Sequence, residues 1–396
     1  MTSELRNVSN IALTTSALFL IVVAIALNSP VLFSMSSAML GLLGVAHVQA
    51  RLSTLGLRFR RRPMPTVRQG ESVQVEIEVW SDRNMRRPLV MVQDRLPEAL
   101  RATNVSPSVP VAPAPGERCV TSYRLRPMRR GVFRWSTVEV TGSDPLGLIR
   151  STKLVRVDPE PLTVLPAPIP FPLRLPRSAG WGGGEADHGP SRGSGVDPRG
   201  IRDYQSGDSL RHVHWRSSAR SGRLLVKEFE VGLYADATVF VQSSLGTAAS
   251  VRGHVALDLL CGFAAYLAES FLGQGLEVHL PGLDAQAKRT PPQMRLMEVL
   301  RELAAVQPSP EPLGTRVAAQ IGSIRPGSSV YLFLAEADDT LPHTVRLLRS
   351  RGCSVYALAL PPASADPRLG GCDTEFLAHL RQAGADASYL PEVPEP

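Results

Sequence analysis

From Asn7 to Ala50 the chain contains no Asp, Glu, Lys or Arg. At 1.5 Å of rise per residue, a helix over that stretch would be about twice as long as the ~30 Å hydrocarbon core of a bilayer requires. Asn28-Ser29-Pro30 divides it: Asn and Ser favour turns, and Pro has no N–H to donate inside a helix. The pattern predicts a transmembrane hairpin within residues 1–52, with helices over roughly Val8–Leu27 and Val31–Ala50. A signal peptide followed by one helix is the competing reading. It requires a small-x-small cleavage site, and none sits neatly after the first apolar run. Arg6 precedes the hairpin, and Arg51, Arg58, Arg60, Arg61 and Arg62 follow it with no acid among them. Positive flanks stay on the cytoplasmic side. Both ends, and all the chain beyond Arg51, are therefore expected in the cytoplasm of a bacterium, as a multi-pass protein of the inner membrane.

The 396 residues carry a formal net charge of +7 and suit two or three domains. The basicity is arginine, since the only lysines are Lys153, Lys227 and Lys288. Such a skew reflects genome composition more readily than nucleic-acid binding, and no nucleic-acid partner is expected. Cys119, Cys261, Cys353 and Cys372 form no CxxC pair, and Cys261 and Cys353 lie in apolar runs. Core thiols in a reducing compartment follow, without a disulfide framework.

Residues 63–170 read as β. Ser72–Trp80 alternates, with Val73, Val75, Ile77 and Val79 on one face, and Leu89–Val92, Cys119–Leu125, Phe133–Val140 and Leu154–Val157 continue the pattern between Pro- and Gly-rich turns. Short strands at this spacing predict a small antiparallel all-β sandwich acting as a spacer or interaction module. Asp144-Pro145-Leu146-Gly147-Leu148 closes it, read as a β-turn with two apolar plugs. Residues 171–194 form a Gly/Pro-rich linker. Its glycines lack the strand, helix and Gly-Lys-Ser/Thr of a phosphate loop.

Residues 195–230 are polar yet contain Tyr204, Trp215 and Phe229. Aromatics set among balanced charges predict a folded loop rather than a linker. Ser209–Ser218 is expected to make a short helical turn, Gly222 to reverse the chain, and Leu224–Phe229 to be a strand. Arg202, Arg211, Arg216 and Arg220 lie close in sequence to Asp203 and Asp208, so bidentate Arg–carboxylate pairs with Trp215 as apolar pivot give a structural clasp. Three other readings stand beside it. His212 and His214, two apart on one strand face, would join Asp208 as zinc ligands; the arginines would grip an anionic partner; or the carboxylates would act as an acid/base pair.

The motif resembles the family called domain of unknown function 58. It runs through Gly195, Ile201, Arg202, Asp203, Tyr204, Gly207, Asp208, Arg211, Trp215, Ala219, Arg220, Gly222, Leu224, Val226, Glu228, Phe229 and Glu230, and the Asp144–Leu148 turn matches one the family carries upstream. One departure is visible: Val196 to Gly200 stand where the family commonly has Glu-Phe. Arg202, Asp203, Tyr204, Gly207, Asp208, Arg211, Trp215, Arg220 and Glu228 are the residues expected to bind a partner or to hold the motif together.

Residues 231–396 alternate strand and helix: strands at Ala237–Gln242, Leu276–Leu280, Ser329–Leu334 and Cys353–Leu360, helices at Val251–Leu272, Gln293–Val306, Leu341–Arg351 and Thr374–Ala383. This predicts a mostly parallel sheet covered on both faces, with any ligand at the strands' carboxyl ends. The resemblance implies a von Willebrand factor A-like, Rossmann-like α/β domain, whose first strand would end in Asp-x-Ser-x-Ser around a divalent cation. Here Gln242 stands in the Asp position, leaving Ser243, Ser244 and Thr247 as oxygens, with Asp338 and Asp339 near a strand end and Asp258 inside a helix. A neutral amide is a poor ligand for a hard cation, so the site is read as degenerate: no cofactor is expected, and at most a weakly held divalent cation.

Together these readings describe a membrane-anchored, non-enzymatic protein-interaction module. The resemblance implies work beside a MoxR-type AAA ATPase in chaperone-like assembly or maturation of protein complexes. The alternative is a metal-dependent hydrolase using Asp208, His212 and His214.

Overall fold

Helix α1 (Glu4–Ala26) and helix α2 (Pro30–Thr54) meet at Asn28, which adopts a positive φ of 44°. Asn tolerates that region better than most residues. Ser29 caps α2, its hydroxyl accepting the Leu32 N–H at 3.5 Å, and Pro30 fills the first helical position, where no N–H is needed. Leu18, Phe19, Val22 and Ile25 of α1 and Val31, Phe33 and Met35 of α2 face outward. Helix α2 has the length and composition to cross a bilayer. Two apolar helices with outward-facing side chains of this kind suggest membrane association. The computed structural model describes residues 4–83, 90–100, 108–114, 116–147, 149–173, 198–205, 213–229, 237–244, 251–281, 292–362 and 371–392. They divide into two units, Met1–Val164 and Leu165–Pro396.

In the first unit the helices are followed by β1 (Leu57–Arg61), β2 (Val67–Arg68), β3 (Val73–Ser81), β4 (Val90–Asp94), β5 (Ser108–Val111), β6 (Arg118–Leu125), β7 (Gly131–Phe133), β8 (Thr137–Ser143), β9 (Arg150–Arg156) and β10 (Leu162–Leu165). They form sheets in the orders β1-β3-β6, β2-β10-β7 and β5-β4-β8-β9, with antiparallel registers in β1–β3, β3–β6, β10–β7, β4–β5, β4–β8 and β8–β9. Val75, Ile77 and Val79 point inward with Leu125, Val140 and Leu162 into one shared core. The stretch Phe133–Val140 is two strands rather than one. The chain leaves the ladder at Trp135, which is 5% exposed and turns its carbonyl to Arg61.

Among the described residues Arg61 is the largest fully buried side chain. Its Nη2 and Nε donate to Asp94 at 2.7 and 3.3 Å, its Nη1 donates to the Trp135 carbonyl at 2.7 Å, and its guanidinium stacks 4.7 Å from the Trp135 ring. The Tyr123 hydroxyl donates to Asp94 at 2.8 Å, and burial followed by the Asp94 charge pushes its pKa up. Part of the arginine run that follows the hairpin is thus paired within the β-unit. β1 alternates Leu57, Phe59 and Arg61 inward, while outward Arg58 pairs with Asp82 and Arg62, just beyond the strand, with Glu76 and Glu78. The acids arrive from other strands, so the sequence around residue 60 does not reveal them.

The last turns of α2 pack on β8 and β9. Ala46 and Ala50 cluster with Ile149, and Gly142 leaves room for Ser53; a Cβ there would lie 1.9 Å from the Ser53 hydroxyl oxygen. The Asp144 carboxylate accepts the Leu146 and Ile149 N–H groups at 2.9 and 2.6 Å, which fixes the expected turn. Leu146 is not an apolar plug, because it is 64% exposed; Leu148 lies outside the described residues.

The second unit contains β11 (Pro198–Asp203), α3 (Trp215–Ser221), β12 (Leu225–Phe229), β13 (Ala237–Val241), α4 (Val251–Gly273), β14 (Val278–His279), α5 (Pro292–Ala305), α6 (Leu313–Ala319), β15 (Ser329–Leu334), α7 (Leu341–Ser350), β16 (Ser354–Ala359), α8 (Thr374–Gln382) and β17 (Asp386–Tyr389). The main sheet has the order β14-β13-β15-β16-β17, and each neighbouring pair is parallel. Counted along the chain this is the doubly wound order 2-1-3-4-5. β13 and β15 are buried throughout because helices cover both faces: α4 and α5 against Val239, Tyr331 and Phe333, and α6, α7 and α8 against Phe240, Leu332 and Leu334. Helix α4 is also apolar and long, but its central window is 61% buried, as befits a core helix. The chain enters this unit across α4, where the Ile169 N–H donates to the Gly262 carbonyl at 3.1 Å; a Cβ on Gly262 would lie 2.8 Å from the Ala167 carbonyl oxygen. Phe171, expected at the head of the linker, is instead in the core, 5.7 Å from Phe263 and 6.1 Å from Phe333. Residues 174–194 of that linker lie outside the described residues.

Candidate functional site

The motif between residues 198 and 229 is a β-ribbon with a short helix set into its return. β11 pairs antiparallel with β12, Asp203 opposite Leu225 and Arg202 opposite Val226, with an irregularity between Pro198 and Gly200. Val213 bridges Val226, and both are buried. His214 caps α3, its Nδ1 accepting the Ser217 N–H at 3.2 Å, and Gly222 ends the helix at φ 68°. The Ser218 hydroxyl accepts the Leu225 N–H at 2.9 Å and donates to the His214 carbonyl at 3.1 Å, stitching α3 to β12.

This arrangement changes the expected clasp in two ways. Trp215 is no pivot: it heads α3 and is 63% exposed. Asp203 accepts from Arg223 Nη1 at 3.1 Å, but both side chains are mostly exposed, so the pair contributes little. Arg220 is exposed and Tyr204 half-buried, its N–H donating to the Leu224 carbonyl at 2.9 Å. Gly207, Asp208, Arg211 and His212 lie outside the described residues, as do the side chains of Arg202 and Glu228. His214 therefore serves as a helix cap rather than as a strand residue. Ser218 and Val213 hold the ribbon, and no local sequence pattern distinguishes them.

A second constellation lies where β13 and β15 end. The chain leaves β13 for α4 on one face of the sheet and leaves β15 for α7 on the other. That divergence is the topological switch point, where doubly wound sheets open a crevice. Gln242 is 1% exposed; its Oε1 accepts the Ala335 and Glu336 N–H groups at 2.8 and 3.0 Å, and its Nε2 donates to the Glu336 carbonyl at 3.1 Å. The residue expected to spoil a cation site is thus the link that ties the two strand ends together.

Ser243 is 1% exposed, and its hydroxyl accepts from Arg316 Nη1 at 2.7 Å, while Arg316 Nη2 donates to the Val241 carbonyl. A guanidinium therefore faces the oxygen expected to hold a divalent cation. Asp338 is also committed: Oδ2 accepts the Gly314 N–H at 3.0 Å, and Oδ1 accepts the Thr340 N–H and hydroxyl at 2.9 and 2.6 Å, joining the starts of α6 and α7. Ser244 is half-buried, Asp339 exposed, and Thr247 lies outside the described residues. Arg316 was invisible to sequence reasoning. It comes from a helix that was not foreseen, and only the sheet order brings it to Ser243, 73 positions away.

Residues 200–330 match the family model described as "Protein of unknown function DUF58". The uncharacterized protein YeaD of Bacillus subtilis (strain 168) is 30% identical over 162 residues, a match covering 39% of this chain and 40% of that protein. A β-glucosidase from Listeria innocua in complex with gluconolactone shows 18% identity at a TM-score of 0.15, over 26% of this chain and 16% of the enzyme. The CARDB domain of a Pyrococcus furiosus protein shows 17% identity at a TM-score of 0.18, over 26% of this chain and 94% of the domain. At these TM-scores the likeness implies nothing about fold or activity.

Proposed function

We propose, from the premise that residues 200–330 of this chain belong to the DUF58 family of unknown function, that the protein is a membrane-anchored, non-enzymatic module that docks a protein partner through the β11–α3–β12 ribbon. One observation carries the reading: Trp215 is 63% exposed at the head of a helix that local hydrogen bonds hold rigidly in place. The ribbon also exposes Ile201 and Leu224, and Arg216, Arg220 and Arg223 stand around the turn. Trp and Arg are the residues that most often anchor interfaces, and Trp215 contributes to no core cluster here. The apolar helices α1 and α2 support anchoring in a membrane, with the inner membrane and a cytoplasmic orientation as the proposed setting. The parallel sheet supports a von Willebrand factor A-like reading of the second unit. Family resemblance points to a MoxR-type AAA ATPase as the partner, in assembly or maturation of protein complexes.

Crosslinked capture from the native membrane, comparing the wild-type chain with Trp215→Ala and Arg202→Ala, tests this. An ATPase recovered with the wild type and lost with Trp215→Ala is the expected result. Equal recovery by folded variants would reduce the motif to a structural element.

A further inference from the structure

We propose that Arg316 is the binding cation for an oxyanion, a carboxylate or a phosphate, in the crevice beyond the carboxyl ends of β13 and β15. This site is independent of whatever the Trp215 ribbon docks. Arg316 reaches inward from α6 to two neutral oxygens, the Ser243 hydroxyl and the Val241 carbonyl. Among the described residues no carboxylate stands within ion-pair distance of it. Burial holds its pKa below the ordinary arginine value, and Glu311 opposes this from a distance. Arg316 is half-buried, so part of its hydration is lost with no carboxylate beside it to compensate, and an oxyanion would supply that charge.

The surroundings fit an anion better than a metal. Gln242 is neutral where a carboxylate would attract a cation, and its amide is used up on Ala335 and Glu336. Asp338 spends both oxygens on Gly314 and Thr340. Ser243 already accepts from Arg316, which leaves its own O–H to donate. A guanidinium has five N–H groups, so engaging Ser243 and Val241 leaves others for a planar oxyanion, and those two contacts fix the fork in place beforehand. The location adds weight, because the crevice of a 2-1-3-4-5 sheet opens where the crossovers of β13 and β15 diverge.

Hydrogen exchange of the intact, detergent-solubilised protein, titrated with inorganic phosphate and separately with acetate at constant ionic strength, tests the proposal. The expected result is saturable protection over residues 241–244 and 313–319 with at least one probe. Arg316→Gln should weaken it about tenfold or more, roughly 1.4 kcal/mol or above, while Arg316→Lys keeps part of it. A response to phosphate alone assigns a phosphorylated ligand, a response to acetate alone a carboxylate, and a response to both a general oxyanion site. No saturable response in the wild type, or an undiminished one in Arg316→Gln, would overturn the proposal.

Discussion

Each unit sets an arginine against its interior, Arg61 fully buried and Arg316 half-buried, and they treat it in opposite ways. In the β-unit Arg61 is enclosed by Asp94, the Trp135 carbonyl and the Trp135 ring, with Tyr123 completing the carboxylate's shell. In the α/β unit Arg316 meets, among the described residues, a hydroxyl and a carbonyl. A closed charge pair tolerates no deletion, because removing one partner strands the other without solvent. An open charge leaves nothing ionic behind when it is removed. The contrast separates an arginine that belongs to the core from one available to a ligand.

The harshest test of the closed side is Asp94→Asn, which strands Arg61 at 0% side-chain exposure. It is expected to cost the β-unit about 3–5 kcal/mol in chemical unfolding, leaving the parallel sheet's hydrogen-exchange protection unchanged. Collapse of both units together would break the distinction. Next in size, Gly142→Ala forces a Cβ against Ser53 and Thr54 where α2 crosses β8. A loss of about 1–3 kcal/mol, confined to the first unit, is expected from such overpacking; an unchanged melting temperature would show that α2 is free to lift.

The second unit has its own buried titratable group. Burial, then the Asp373 and Glu336 charges, push the Cys372 thiol from 9.0 up to about 12. Above pH 9 the unfolded thiol ionises while the folded one keeps its proton. The stability it contributes is therefore complete below pH 9 and is lost as pH rises towards about 12. Thermal unfolding over that range should show Cys372→Ala declining less steeply than the wild type, and equal slopes would contradict the assignment. The smallest expected effect on stability is that of Trp215→Ala. An exposed side chain outside the cores should change it by no more than about 0.5 kcal/mol, and a larger loss in calorimetry would mean the ribbon needs its tryptophan.

Sequence periodicity revealed the repeating parts of this molecule. The alternation of Val73, Val75, Ile77 and Val79 located β3, and the apolar run Ser329–Leu334 matched β15 residue for residue. It failed where a polar side chain takes an apolar position. Arg61 conceals the inward face of β1, and the strand break at Trp135 depends on an acceptor contact with a residue 74 positions earlier. The chain reversal at Gly222 and the strand after it were legible, but the helical turn was expected over Ser209–Ser218 and the described helix is Trp215–Ser221; the outward set of Trp215 was not legible, because seven residues of helix carry no facing information of their own. Arg316 marks the limit most clearly: its partners are set by the order of strands in a sheet, and no window of sequence contains that order.

The contrast between the closed and the open arginine is tested most directly by hydrogen exchange of Arg61→Gln and Arg316→Gln in the intact chain, read separately over each unit. Arg61→Gln should cost the β-unit's strands about 3–5 kcal/mol of protection. Arg316→Gln should cost β13 and β15 no more than about 1–2 kcal/mol, the scale of two neutral acceptors left unpaired. A loss over the parallel sheet as large as that in the β-unit would make Arg316 a core residue like Arg61 and would contradict the account.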